Sequence, residues 1–352
     1  MKSSCMNSIK FMVLVILCLQ NSMFTILRRY SQGVLKEVYS KHEVLLMGEI
    51  IKIVFSAWMI SGSLPEGETT YTRLLYLVKK SRKMFALAAI YGAMNILSFV
   101  SLRNIGAGVF TIFAQCKILT TATFSSIILR YKYSWAQWRA LFSLMLGVLL
   151  FTSPIWTKSS TVQTGGNVML GTAAVLIEVT LSGFASIYFE KVIKIDPEKI
   201  GIWERNFQLA LGSFPIYIIF ILANNGDEAG FFGGWTFLAW ILAFLGAAGG
   251  LLVALSIKYG DSILKTLATT GAIILSSVLD WAFMNGPLDS TMCIAGAQVV
   301  IAIANYTFDY PPPTEYPSDK VDSDSVHRDD DETISLVKSV GSTPTRSVNS
   351  NV

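Results

Sequence analysis

The sequence predicts an all-α membrane protein with about ten transmembrane helices in two inverted five-helix repeats. Of its residues, 52% are hydrophobic and only 15% are charged, whereas soluble globular proteins have about 25% charged residues. Apolar stretches of about 20 residues, the length that crosses a bilayer core, recur along the chain with short polar breaks. Five stretches precede Gly166 and five follow it. Because an odd number of spans per half flips the second half, the two halves are expected to be inverted.

The apolar stretches predict ten spans. The first follows Lys2 and Lys10 and is longer than the apolar core of a signal peptide, so we expect a retained helix. The fourth and the ninth each contain one lysine, and the tenth ends where the sequence becomes polar. The ten ranges are 8–27, 43–62, 84–102, 106–129, 135–153, 168–190, 203–224, 235–257, 262–283 and 289–308.

The distribution of basic residues predicts that both termini face the cytosol. An even number of spans puts the termini on one side, and cytosolic loops carry an excess of Lys and Arg. Fourteen basic residues fall in loops on the N-terminal side, and six fall in the opposite loops. We therefore predict a transmembrane domain over residues 1–308, with repeats 8–153 and 168–308. Residues 309–352 are too polar to bury a core and are predicted to form a disordered cytosolic tail.

No pattern typical of an enzyme, a metal site or a nucleic-acid site occurs in the sequence. The cysteines are scattered without a C-x-x-C pair, and neither H-x-x-x-H nor G-x-S-x-G is present. The net charge of +4 is small and dispersed. We therefore predict that the chain is not an enzyme, has no catalytic residue, and binds no metal, cofactor or nucleic acid.

A lysine near the middle of the fourth span suggests a path for an anion. Lys117 follows Gln115 closely, and a cation at membrane depth costs several kcal/mol unless it faces water, a counter-charge or an anionic ligand. A phosphate group would gain from an ammonium together with amide and hydroxyl donors. The alternative is a structural ion pair between Lys117 and Glu49 or Glu178.

The ninth span has a second lysine on a polar stripe. Lys265, Thr269, Ser276 and Asp280 recur at helical spacing, so this stripe is expected to line a water-filled cavity. Lys265 lies about one turn inside the span, and it could instead extend to the membrane interface.

Two further polar patterns lie in the second and third spans. Tyr91, Asn95 and Ser98 share one helix face at i, i+4 and i+7, which suits either a polar substrate or contacts between helices. Glu49 and Lys52 are three residues apart and are interpreted first as a structural ion pair.

Four sequence blocks connect these residues to a known family. The blocks are FAQCKILTTATFS (113–125), GFASIYFEK (183–191), ERNFQLALG (204–212) and GGLLVALSIKYGDSILKTLAT (249–269). They resemble the nucleotide-sugar transporters of the CMP-sialic acid, UDP-galactose and UDP-N-acetylglucosamine type, and the similarity runs from about Gln20 to Tyr306. The resemblance implies a drug/metabolite transporter-like fold and an antiporter of the Golgi or endoplasmic reticulum. Such an antiporter exchanges a cytosolic nucleotide sugar for a lumenal nucleoside monophosphate.

The resemblance also implies roles for individual residues. Lys117 and Lys265 would bind the nucleotide phosphate, with support from Tyr91 and Asn95 in the block YGAMNILSF. The expected contacts to the nucleoside or the sugar are Ser182, Asn206, Gln115 and Thr269.

The chain departs from the family pattern at three positions. Ala114 and Cys116 stand where the pattern Y-Q-L-K-I has Tyr and Leu, and Ser262 stands where D-N-I-L-K has Asn. These changes affect hydroxyl and amide groups near the sugar or the base and leave both lysines in place.

The run KILTTA (117–122) is more similar to the UDP-sugar carriers than to the CMP-sialic acid carriers. We therefore predict import of UDP-galactose or UDP-N-acetylglucosamine into the Golgi lumen in exchange for UMP. The alternatives are a CMP-sialic acid/CMP exchanger, a carrier of another organic anion and a non-transporting membrane scaffold. The expected partners are the nucleotide sugar, the nucleoside monophosphate and membrane lipid, and a homo-oligomer is left open.

Overall fold

The chain folds into a bundle of apolar helices. The computed structural model describes residues 2–64, 67–153, 167–198, 200–223 and 232–308, and every regular element in these ranges is helical. The predicted tail, 309–352, lies outside them. A π-helical turn, Tyr30–Val34, extends the first helix. The helices are α1 (Lys2–Arg29), α2 (Lys41–Gly62), α3 (Thr70–Lys79), α4 (Arg82–Asn104), α5 (Ala107–Gln115), α6 (Lys117–Ile128), α7 (Trp135–Phe151), α8 (Val168–Lys194), α9 (Ile202–Ala223), α10 (Phe237–Tyr259), α11 (Ser262–Met284) and α12 (Ser290–Phe308).

The lengths of these helices match the predicted spans. Within the described ranges, nine candidate spans are long and apolar enough to cross a membrane, and α5 and α6 together form one of them. The predicted fifth span, 135–153, corresponds to α7, a shorter apolar helix. The prediction of an all-α, multi-pass membrane protein is therefore confirmed.

Polar caps determine where several spans begin. Ser134 and Gln137 form a capping box at α7: the Gln137 amide donates to Ser134 Oγ (3.2 Å), and the Ser134 amide donates to Gln137 Oε1 (2.8 Å). Asn167 caps α8. The Asp261 carboxylate accepts from the Leu264 amide (2.7 Å) at the start of α11. Each cap satisfies backbone amides that have no partner within their own helix.

The fourth span is interrupted, although its sequence predicted one continuous stretch. Helix α5 ends at Gln115, and α6 begins two residues later at Lys117. At the break, the Cys116 amide donates to the Phe113 carbonyl (3.0 Å), three residues back instead of four. This tighter turn interrupts the regular helix at membrane depth, and Lys117 is the first residue after it.

Helix pairing brings α8 to the middle of the bundle. Helix α8 packs on α4 and on α6, α1 packs on α10 and α11, and α9 packs on α2 and α4. Helices α2 and α10 form a further pair, as do α7 and α12. Ser101 on α4 donates from Oγ to the Gly171 carbonyl on α8 (2.9 Å), which joins these two helices near one end.

Ion pairs connect the segment after α8 to the first turns of two neighbouring helices. Asp196, in the segment after α8, contacts Lys83 (2.7 Å) and the buried Arg205 (2.7 Å). Burial alone would raise the pKa of Asp196. The hydrogen bonds from Lys83 and the Glu198 amide, with the charge of Arg205, outweigh burial and leave the pKa below its ordinary value. Asp196 is therefore charged in the folded protein.

Candidate functional site

Lys117 lies where α6 packs most closely on α8. Thr120, one turn after Lys117, donates from Oγ1 to the Val179 carbonyl (3.2 Å). A Cβ atom at Gly183 would lie 2.7 Å from Thr120 Oγ1 and 2.9 Å from its carbonyl carbon, so only glycine permits this contact. Lys117 is partly exposed. In the described parts of the chain it forms no salt bridge within 4.0 Å.

A polar stripe on α8 connects the two predicted lysines. Glu178, Ser182 and Ser186 follow one another at intervals of four residues, which places them along one side of the helix at steps of about 6 Å. Glu178 interacts electrostatically with Lys117 at one end of the stripe. At the other end, Lys265 Nζ donates to Ser186 Oγ (3.3 Å). Ser182, predicted from the family pattern, therefore lies midway between the lysines.

The two lysines face the same region of the protein interior. Lys265 is partly exposed, and its ammonium interacts electrostatically with that of Lys117. The contact with Ser186 directs Lys265 into the bundle, and the alternative of extension to the membrane interface is not what the structure shows. Two like charges that interact in this way, both beside the α8 stripe, favour an anionic ligand.

A buried glutamate, missed in the sequence, positions Lys265. Glu190 is fully buried and accepts from the Ser262 amide (2.9 Å), the Lys194 ammonium (2.8 Å) and the Tyr131 hydroxyl (3.2 Å). Ser262 also donates from Oγ to the Ser186 carbonyl (3.0 Å). These bonds fasten the start of α11 to α8. The signal was the glutamate of the block GFASIYFEK, which follows Ser186 by four residues.

Helix α4 contributes the predicted pair Tyr91 and Asn95. Tyr91 packs against the cluster that includes Ala185 and Phe189 of α8, so it lies beside the stripe. Asn95 faces Tyr217 of α9. Both α4 residues are partly exposed.

A second polar arm extends from Asn95 towards α2. Tyr217 interacts with the side chain of Asn95 and, electrostatically, with the carboxylate of Glu49. Glu49 pairs with Lys52 (2.7 Å), which confirms the predicted ion pair. A Cβ atom at Gly250 would lie 3.1 Å from Lys52 Cδ, so the lysine stem lies directly against α10. This arm carries hydroxyl, carboxylate and ammonium groups into the bundle.

Of the other three predicted residues, two are buried and one is partly exposed. Asn206 is 3% exposed and donates to the Ile202 carbonyl of its own helix (3.1 Å). Gln115 is also buried, next to the break. Thr269 is partly exposed, one turn beyond Lys265.

The lower part of the α11 stripe differs from the expected water-lined surface. Ser276 and Asp280 are buried, and Asp280 pairs with Arg29 at 2.5 Å. Asp280, which the helical spacing placed on a water-filled cavity, instead joins α11 to the end of α1. Within the described ranges, no group of three or more His, Cys, Asp or Glu side chains is placed to hold a metal ion.

Comparison with known proteins identifies the family. The family model described as "Nucleotide-sugar transporter" matches residues 5–307. The chain belongs to this family. The resemblance inferred from the four blocks is therefore confirmed, and the match covers every described helix from α1 to α12.

Curated relatives of this family are transporters of UDP-sugars. A UDP-N-acetylglucosamine transporter of Rattus norvegicus is 33% identical, with 87% of this chain and 96% of the relative covered. A UDP-galactose transporter of Schizosaccharomyces pombe is 32% identical, with 88% and 89% covered. A UDP-galactose/UDP-N-acetylglucosamine transporter of Caenorhabditis elegans is 33% identical, with 84% and 81% covered.

A solved crystal structure shares the fold. It aligns with a TM-score of 0.59 at 14% identity and covers 86% of this chain and 97% of that chain. At this identity the likeness concerns the architecture alone.

Proposed function

We propose that the chain imports UDP-galactose or UDP-N-acetylglucosamine into the Golgi lumen in exchange for UMP. It would act as a multi-pass carrier with both termini in the cytosol, and it would leave its cargo chemically unchanged, without a cofactor. The names of the curated relatives support the UDP-sugar cargo. The observation that carries the proposal is the convergence of Lys117 and Lys265 at the α8 stripe.

The two lysines would bind the phosphates. A nucleotide sugar has two phosphate groups and UMP has one, so a site that serves both must recognise the shared phosphate. Ammonium groups from α6 and α11 provide charge-assisted hydrogen bonds in a region of low dielectric constant. Because Lys265 is fastened to α8 through Ser186, part of this site is ordered before the anion arrives.

The polar ends of the cargo would lie on either side of the phosphates. Beyond Asn95, the side chains of Tyr217, Glu49 and Lys52 offer partners for sugar hydroxyl groups. We retain Ser182, Asn206, Gln115 and Thr269 as the candidate contacts to the nucleoside or the sugar. Tyr91 and Asn95 would support the phosphate from α4.

The pairing of helices supports two inverted repeats and alternating access. Each span has a counterpart in the other half, five spans away in the sequence. If every span is replaced by its counterpart, the packed pair α1–α11 corresponds to the packed pair α8–α6, and α4–α8 corresponds to α10–α1. Likewise α4–α9 becomes α10–α2, while α2–α9 and α7–α12 map onto themselves. Packing with such a two-fold relation allows the same contacts to form on either side of a central site, as repeat-built carriers require.

Exchange in proteoliposomes tests the proposal. We expect the wild type to exchange labelled UDP-galactose or UDP-N-acetylglucosamine for internal UMP. Lys117→Ala and Lys265→Ala should each lower the exchange rate at least about 100-fold, because each removes a charge-assisted contact worth about 3 kcal/mol. Lys132→Ala, which alters an exposed loop lysine, should exchange at the wild-type rate. Uptake retained in both site variants would overturn the proposed phosphate site.

A panel of labelled cargoes separates the alternative functions. Exchange of CMP-sialic acid for CMP, with no response to UDP-sugars, would identify the CMP-sialic acid exchanger. Thermal stabilisation by sugar phosphates but not by UMP or CMP would indicate another organic-anion carrier. No nucleotide response and full tolerance of both lysine substitutions would favour a scaffold.

A further inference from the structure

Glu178 is a charged group at membrane depth that the proposed phosphate site leaves without a role. It is half-buried on α8, four residues before Ser182. Ionisable residues inside spans are costly and usually have a partner or a function. Glu178 therefore requires a physical explanation.

The packing of α6 on α8 brings Glu178 to the level of Lys117. Thr120 bonds to the Val179 carbonyl, and Cys116 packs against Val175 and Val179. Lys117 is adjacent to Cys116 in the chain, and Glu178 is adjacent to Val179. The electrostatic attraction between the Glu178 carboxylate and the Lys117 ammonium follows from this alignment.

The present contacts of Glu178 are incomplete. The Ser98 hydroxyl on α4 interacts with its carboxylate, but Oε2 is buried with no hydrogen-bond partner among the described residues. The ammonium of Lys117 is attracted to it without forming a salt bridge within 4.0 Å. An unsatisfied buried carboxylate oxygen is unfavourable, and the flexible four-carbon stem of a lysine allows its ammonium to move. A change in the conformation of the lysine side chain would thus be enough to bring the two groups into a direct pair.

We propose that Glu178 is an internal counter-ion that pairs with Lys117 in the empty carrier and releases it to the phosphate of the cargo. This inference rests on the proposed function, because it assigns the competitor of the phosphate at the same site. When the anion binds, the lysine exchanges one negative partner for another, and Ser98 remains to solvate the carboxylate.

This arrangement adjusts both affinity and coupling. Because Glu178 competes for Lys117, it weakens phosphate binding and so permits release of the product. Because it neutralises one of the two site cations, it also lowers the cost of reorienting an empty carrier. The Glu178 carboxylate would thus determine how tightly import of the nucleotide sugar is coupled to export of UMP.

The substitution Glu178→Gln, which keeps the shape and removes the charge, tests the role of the counter-ion. We expect it to bind UMP about tenfold more tightly than the wild type, or by about 1.4 kcal/mol. It should also retain exchange but slow the efflux of UMP into nucleotide-free buffer about fivefold. Glu68→Gln, an exposed loop position with the same change of net charge, should match the wild type. Equal or weaker UMP binding by Glu178→Gln would overturn the proposal.

A double-mutant cycle in the ligand-free protein provides a readout without nucleotide. Lys117→Gln and Glu178→Gln should each lower the melting temperature, and the double variant should recover most of the loss, because neither charge is then left alone. If Glu178→Gln alone does not fold, recovery of folding in the double variant supports the pair, and failure to recover refutes it. If the double-mutant cycle shows coupling between Lys117 and Glu178 but the wild type binds no UMP, the ion pair stands and the nucleotide function is refuted. UMP binding without coupling would refute the pair alone.

Discussion

Gly183→Ala is the sharpest test of how the candidate site is assembled. The added Cβ would lie 2.7 Å from Thr120 Oγ1 and 2.9 Å from the Thr120 carbonyl carbon, whereas carbon atoms pack at about 3.5 to 4.0 Å. The hydroxyl can rotate away, but the backbone carbon cannot. Helix α6 must therefore move outward by roughly 0.6 to 1 Å to restore ordinary contact distances.

Such a shift affects transport more than folding. Overpacking of this kind costs about 1 to 3 kcal/mol of stability, which an apolar bundle of this size can absorb. The displacement also carries Lys117 away from the α8 stripe, and a misplacement of about 1 Å in a functional group can cost about 100-fold in rate. We expect Gly183→Ala to insert and bind detergent normally, to melt a few degrees lower, and to exchange UDP-sugar 10- to 100-fold more slowly.

The control is another glycine in a span. At Gly246 on α10, an added Cβ would meet Phe24 at 3.6 Å, an ordinary contact, so Gly246→Ala should retain wild-type exchange. Thr120→Ala added to Gly183→Ala should not restore transport, since the backbone clash remains. Wild-type exchange by Gly183→Ala, or an equal loss in both glycine variants, would refute the reasoning.

Two further predictions concern charges at the helix ends. Glu190→Gln should lower the melting temperature and impair exchange, because it leaves the Lys194 ammonium without its carboxylate, and loss of one partner of a buried pair costs about 3 to 5 kcal/mol; unchanged melting would exclude the proposed anchor. The lowered pKa of Asp196 predicts that its pairs with Lys83 and Arg205 stabilise the fold above the unfolded pKa, about 3.9. That stabilisation is lost as the pH falls from there through the lower folded pKa, so acid melts of Asp196→Asn should be flatter in this range than those of the wild type.

The sequence predicts best those features that depend on residues close together in the chain. Span positions follow from apolar length, which any bilayer-crossing helix must satisfy. Nine of the ten predicted ranges match the helices to within four residues at each end, and the first, 8–27, stops short of a candidate span that continues to Val34. The pairing of Glu49 with Lys52 could also be predicted, because a spacing of three residues puts both on one helix face. The break at Cys116 could not, since no proline or glycine marks it.

Contacts between helices that are far apart in the sequence cannot be predicted in this way. The partners of Asp280 and of Ser262 depend on how α1, α8 and α11 align side by side, and periodicity within a single helix contains no information about that alignment. For the same reason, Asn206 was assigned by family pattern alone, and its buried position in α9 was not foreseen. The electrostatic link between Lys117 and Glu178 was one of two alternatives, and only the packing of α6 on α8 distinguished them.

The bonds between Ser262 and α8 have a consequence for motion. Because the start of α11 is held by Ser186 and Glu190, we expect Lys265 and Ser182 to move together in the proposed transport cycle. Lys117 belongs to a separate segment that begins at a break in its own helix. A change in the distance between the two ammonium groups would then require the contact of α6 with α8 at Thr120 to loosen, so that this contact would determine how firmly the cargo is held.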